Sequence, residues 1–219
     1  MSERDTIHAL ASGSPPAGIA VLRVSGPRAD RALAALARGP LPAPRRAVLR
    51  TLQDGRDGVI DRALVLRFEA GASFTGEPVV EFHLHGGPAL VRAAMAAVAE
   101  AGPSRLAEPG EFTLRAFEHG RIDLAEVEAL GDLIAAETAA QHAQAAKLVA
   151  GRLHARVEGW RERLIEAAAL VEVTIDWADE EVPEDTSPDV AAILDGLARE
   201  IAEELEAAEG AEKLRTGLE

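Results

Sequence analysis

The chain has 219 residues, enough for one large domain or two small ones, and at 47% hydrophobic and 27% charged it excludes wholesale disorder. It has no cysteine, which excludes a disulfide scaffold, thiolate metal sites and a cysteine nucleophile. A net charge of −14 with 3% aromatic residues argues against strong nucleic-acid binding by the chain alone.

The charged start MSERDTIHAL is neither a signal peptide nor an anchor, and no window offers 18 uncharged apolar residues. A soluble, cytoplasmic protein that avoids membranes is expected. Asp5–Ser12 and Gly18–Ser25 read as strands separated by the turn-rich Gly13-Ser14-Pro15-Pro16. Pro27 opens an Ala/Leu/Arg helix that Pro40, Pro42 and Pro44 end. Ala47–Gln53 and Val59–Glu69 flank the hairpin signal Asp54-Gly55-Arg56-Asp57-Gly58. Pro78–His85 is a further strand, Gly86-Gly87-Pro88 introduces a helix to about Ala101, and a short strand follows Gly102-Pro103. Another helix starts after Pro109-Gly110.

From Asp123 the period changes. Leu124, Val127, Leu130, Leu133 and Ile134 recur at helical spacing, and the pattern continues through Leu148, Val157, Trp160 and Leu164 to about Trp177. An acidic break, Asp179–Asp185, precedes a last amphipathic helix from Ser187-Pro188 that carries Val190, Leu194, Leu197, Ile201 and Leu205. Residues 1–118 hold 14 basic and 13 acidic side chains, whereas residues 119–219 hold 9 and 24. The predicted organisation is therefore an α+β fold: an α/β domain over 1–118, then an acidic all-α segment over 119–219. Two readings fit that segment, a small bundle closed on the first domain or a bundle completed by further chain.

Two strands hold the chemistry. In Pro78–His85, alternation sets Val80, Phe82 and Leu84 on one face and Glu81, His83 and His85 on the other. The second face reads as a solvated sheet face, a ligand pocket or, least of all, a two-histidine metal site, since no third ligand stands out. In Gly18–Ser25 both faces are apolar except for Arg23, so the strand is expected to be covered on both sides. The Arg23 guanidinium then pairs with a carboxylate such as Glu81 or clamps an anionic ligand. No P-loop, dinucleotide fingerprint, H-E-x-x-H or G-x-S-x-G occurs, so neither nucleotide hydrolysis nor serine-hydrolase chemistry is expected of the chain alone. No residue is assigned a catalytic role and no metal is expected.

Six strings in order resemble one family, the tRNA-modifying GTPases of the MnmE (TrmE) type. They are Asp5-Thr6-Ile7, Gly18–Pro27 (GIAVLRVSGP), Ser73–Glu77 (SFTGE), Val80–Pro88 (VEFHLHGGP), Pro109–Phe117 (PGEFTLRAF) and Ile122–Ala129 (IDLAEVEA). Ile175-Asp176-Trp177, followed by acidic residues and Pro183, is similar too. The resemblance implies an N-terminal folate-binding domain, like that of aminomethyltransferases, which forms a homodimer. An incomplete helical domain follows, completed beyond a Ras-like G domain that would start about where this sequence stops. GTP, magnesium and potassium belong to that G domain.

The resemblance further implies that the dimer works with the flavoprotein MnmG (GidA), together adding a carboxymethylaminomethyl-type group at carbon 5 of the wobble uridine of certain tRNAs. The one-carbon donor would be 5-formyltetrahydrofolate or another tetrahydrofolate derivative. The family's folate contacts fall on Arg23, Glu81 and Arg121; at the last, the family has lysine. The stretch Ser12–Ala17 also lacks the basic, glycine-rich character common there. The alternative is a dimerisation scaffold that has lost folate binding.

Overall fold

The computed structural model describes residues 5–56, 58–102, 104–176 and 186–216, with side chains only to residue 175 in the third stretch and to residue 208 in the last. The fold is α+β in two compact units, residues 1–122 and 123–219.

The first unit contains β1 (Thr6–Leu10), β2 (Ala17–Ser25), α1 (Ala29–Leu36), β3 (Val48–Gln53), β4 (Val59–Phe68), β5 (Val79–Gly86), α2 (Pro88–Ala101), β6 (Ser104–Leu106) and α3 (Glu111–Glu118). Its strands form one sheet in the order β3-β4-β5-β2-β1-β6. All neighbours are antiparallel except β1 and β6, which run parallel; α2 carries the chain from β5 across to β6.

The register of β2 on β5 pairs Ala20 with Leu84, Leu22 with Phe82 and Val24 with Val80. These six side chains form one apolar face, with Ala63 and Val65 of β4 beside them. Against it pack the stripes of α1 (Ala29, Ala32, Leu33, Leu36) and α2 (Val91, Ala94, Ala97, Val98). Burying each Leu, Val or Phe there contributes about 2 kcal/mol. Arg67 of β4 ties α1 to the sheet through a bidentate pair with Asp30 at 2.7 Å on both arms.

The opposite sheet face is only partly covered. The expectation that β2 is buried on both sides fails at Ile19, which is 65% exposed, while Arg23 farther along is part-buried. The α3 helix is what separates the two: it covers the Ser25 end of the strand, where Phe112 lies under Arg23, 5.4 Å from its ring centroid to the guanidinium carbon. At the far end of β5, Gly86 approaches Ala17 so closely that an added Cβ would sit 2.3 Å from the Ala17 carbonyl oxygen. Only glycine fits there.

The second unit holds α4 (Leu124–Ala135), α5 (Ala139–Val149), α6 (Arg152–Asp176) and α7 (Ser187–Thr216). The single helical run read from residue 123 to about 177 is therefore three helices up to Asp176; its expected end at Trp177 and the acidic break 179–185 lie outside the described residues. Each interruption has a local cause. Thr138 caps α5 in a reciprocal capping box with Gln141, as Asp123 does for α4 with Glu126. Gly151, at φ 73°, turns the chain between α5 and α6. Between α6 and α7, Glu200 accepts from Trp160 Nε1 at 3.0 Å and Arg163 Nη1 at 2.6 Å, and Arg156 pairs with Glu204.

Candidate functional site

Strand alternation and register together put Arg23 directly opposite Glu81 on the partly covered sheet face. Arg23 Nε donates to Glu81 Oε1 at 2.9 Å, with the side chains 25% and 15% exposed. Desolvated this far, each charge needs the other, yet enough surface remains for both to meet a ligand. Glu81 Oε2 lies 3.5 Å from His83 Nε2. That spacing gives electrostatic contact, but the His83 nitrogen is buried without a hydrogen bond.

The pair faces a cavity of about 330 Å³. Its walls include Phe68 at the end of β4, Val79 at the start of β5, and the loop Ala72–Thr75. Arg45, from the segment before β3, and Arg121, just past α3, complete the lining. The structure thus brings Arg23, Glu81 and Arg121 to one cavity. His83 and His85, expected on the same strand face, do not line it. His85 instead lies against Asp61, whose Oδ1 is 2.8 Å from the imidazole Nδ1 and whose Oδ2 accepts the His85 amide at 2.8 Å. Burial raises the Asp61 carboxyl, but the His85 amide and ring and the Arg62 amide more than offset it, leaving its pKa below the ordinary value.

A second polar constellation holds the cavity loop. Glu77 and Arg115 are both buried, and Arg115 Nη1 donates to both Glu77 oxygens at 3.0 Å. Ser25 Oγ donates to Glu77 Oε2 at 2.7 Å and lies 2.7 Å from Thr75 Oγ1; Ser73 Oγ donates to the Glu77 carbonyl at 2.6 Å. This network locks residues 73–77 onto β2 and α3. Within the loop, Gly76 takes φ 79°, where a Cβ would come within 2.9 Å of His119 Cβ and 3.3 Å of Arg121 Cγ. Arg121 is itself anchored by its backbone N–H to the Ala116 carbonyl at 2.8 Å.

Sequence reasoning missed Arg45, Phe68 and the roles of Glu77 and Arg115. The strings SFTGE and PGEFTLRAF drew attention to two of these stretches, but nothing in them marks which charges meet. The Ser12–Ala17 stretch contributes nothing to the cavity lining. Among the described residues no group of three or more His, Cys, Asp or Glu side chains could hold a metal ion, and no helix is long and apolar enough to cross a membrane. A cleft of about 60 Å³ between α4 and α5, lined by Asp132, Gln141 and Gln144 among others, has room only for water.

What the cavity can do chemically is bind. It offers one carboxylate and three guanidinium groups around aromatic walls, and no nucleophile paired with a base. Comparison with known proteins agrees in order along the chain. Residues 6–121 match the family model described as GTP-binding protein TrmE N-terminus, and residues 124–219 match the MnmE helical domain. Proteins named tRNA modification GTPase MnmE are similar throughout: that of Roseobacter denitrificans is 49% identical and that of Dinoroseobacter shibae 52% identical, each over 98% of this chain and 50% of the relative. That of Phenylobacterium zucineum is 50% identical over 98% of this chain and 48% of the relative. The chain spans about half the length of the curated relatives it matches. With both halves matched in the order in which they occur, the chain belongs to the MnmE (TrmE) family.

Proposed function

We propose that the first unit binds a tetrahydrofolate derivative in the cavity faced by the Arg23–Glu81 pair, and that the chain does so as a homodimer. In the whole protein this would serve GTP-dependent modification of the wobble uridine of tRNA at carbon 5, with the flavoprotein MnmG (GidA) as partner. The relatives' name, tRNA modification GTPase, supports the process.

The observation that carries the folate reading is a half-buried carboxylate, held by its own arginine, at a cavity with two further arginines. A reduced pterin presents an amino group and a ring N–H side by side. A carboxylate accepts such a pair, and Glu81 keeps lone pairs free beyond the single bond from Arg23. Phe68 and Phe74 supply flat apolar walls for the ring or the benzoyl group, and the volume lies in the range of small-molecule sites. The donor, when bound, supplies the one-carbon unit; the residues of this chain bind and orient it. The exposed Ile19, Leu49 and Leu64 on the open sheet face supply apolar surface for pairing.

Calorimetric titration of 5-formyltetrahydrofolate into the chain and into Glu81→Ala tests the reading. Micromolar binding that the substitution abolishes supports it. A folded dimer that binds nothing overturns it in favour of a dimerisation scaffold, and Arg121→Lys is then the rescue to try.

A further inference from the structure

We infer that Arg45 is a ligand-binding residue of the cavity and that, with Arg121, it takes the two carboxylates of the ligand's glutamate tail; this rests on the folate reading above. Four charged side chains line the cavity: Arg23, Arg45, Arg121 and Glu81. Arg23 is neutralised by Glu81. Neither Arg45 nor Arg121 makes a side-chain ion pair with any described residue, so the cavity carries two uncompensated positive charges. That excess matches a dianion, and a folate monoglutamate ends in one.

Position separates Arg45 from the Arg23–Glu81 pair. Going across the sheet, Arg23 stands on β2, Glu81 on the adjacent β5, and Phe68 on β4 beyond it. Arg45 lies one step farther, where its backbone N–H donates to the Arg67 carbonyl of β4 at 2.8 Å. Three strand spacings put its backbone roughly 14 Å from that of Arg23. A head group on Glu81 therefore leaves Arg45 to meet the far end of an elongated ligand.

The backbone fixes where Arg45 stands. It is the one non-glycine residue at positive φ among the described residues, at 59°. A turn puts it there: Pro44 is the second residue and Arg45 the third, the Arg46 N–H donates to the Ala43 carbonyl at 3.3 Å, and the hydrogen bond from the Arg45 N–H to the Arg67 carbonyl pins the turn to β4. The turn aims a guanidinium without a protein partner at the cavity.

The test uses Arg45→Asn, since asparagine accepts positive φ and removes only the charge and reach. Two probes are titrated into the 219-residue chain and the variant: 5-formyltetrahydrofolate and its bis-amide, in which both tail carboxylates are neutral. The expected result is about tenfold weaker binding of the dianion by the variant, with a flatter salt dependence, and less than twofold change for the bis-amide. Equal loss on both probes, or loss on neither, overturns the role of Arg45 and leaves the folate site standing. Failure of the unaltered chain to bind either probe overturns the folate reading itself, and the tail assignment with it.

Discussion

Arg115 and Glu77 form the most deeply buried ion pair described in the first unit, with side chains 5% and 7% exposed and Nη1 3.0 Å from each carboxylate oxygen. One partner sits on α3 and the other in the loop before β5, so the pair fastens the cavity loop to the helix that backs Arg23. Breaking such a pair leaves a desolvated charge behind. Glu77→Gln is expected to cost about 3 kcal/mol in chemical denaturation, because Arg115 keeps only Glu111 as a charged partner. Combining it with Arg115→Gln should cost clearly less than the two single losses added together. Simple additivity would show that the two charges do not depend on one another.

Stability should also fall in acid through a neighbour of this pair. Arg105 bonds both oxygens of Glu111, and with the Glu108 amide and Arg115 it overcomes the effect of burial, holding the carboxyl at about 2 against its ordinary 4.5. A depressed carboxylate contributes stability that is full above its unfolded pKa and is lost as pH falls through the folded one. The loss therefore runs from about pH 4.5 down to about 2. Arg105 is itself 46% exposed, so screening reduces the gain to about 1–2 kcal/mol. Denaturation of the chain and of Glu111→Gln should differ most at pH 7, by less at pH 3, and converge only near pH 2.

How much of this was readable beforehand depends on the kind of contact. Arg23 and Glu81 were legible because each is a lone charge on a strand whose period is two, and the register then joins them. Glu77 and Arg115 were not, although both stand in recognisable strings: a loop residue and a helix residue 38 positions apart have no shared period to betray their contact. Arg45 was invisible for a different reason: Pro44 signals a turn, but nothing in the sequence says that this turn is pinned to β4 beside the cavity. The helical half shows the same limit, because apolar spacing persists across the Thr138 cap and Gly151 and conceals two breaks.

His8 gives the first unit a second pH dependence of opposite chemical type. It is buried on the helix-covered sheet face beside Val24, and its Nδ1 has no hydrogen-bond partner. Burial lowers its pKa below the ordinary 6.5. The folded state then favours the neutral ring while the unfolded chain takes up a proton, so stability declines as pH falls below about 6.5. His8→Leu should flatten the stability profile between pH 7 and pH 5, leaving stability at pH 7 equal or slightly higher. An unchanged slope would mean that another group carries it.

The last expectation concerns Gly76, which couples loop geometry to the cavity rim. A side chain there must adopt φ 79° and meets both His119 Cβ at 2.9 Å and Arg121 Cγ at 3.3 Å. The strain alone is worth about 1–2 kcal/mol. His119 can yield little, because its backbone N–H is bonded to the Arg115 carbonyl at 3.0 Å and its Nδ1 lies 2.8 Å from the same oxygen. The Arg121 stem is the freer neighbour, so Gly76→Ala should push its guanidinium off its place at the cavity rim. Weaker binding of 5-formyltetrahydrofolate, with little further loss when Arg121→Ala is added, is the expected outcome. If the two substitutions weaken binding independently, Gly76 acts on the loop and not through Arg121.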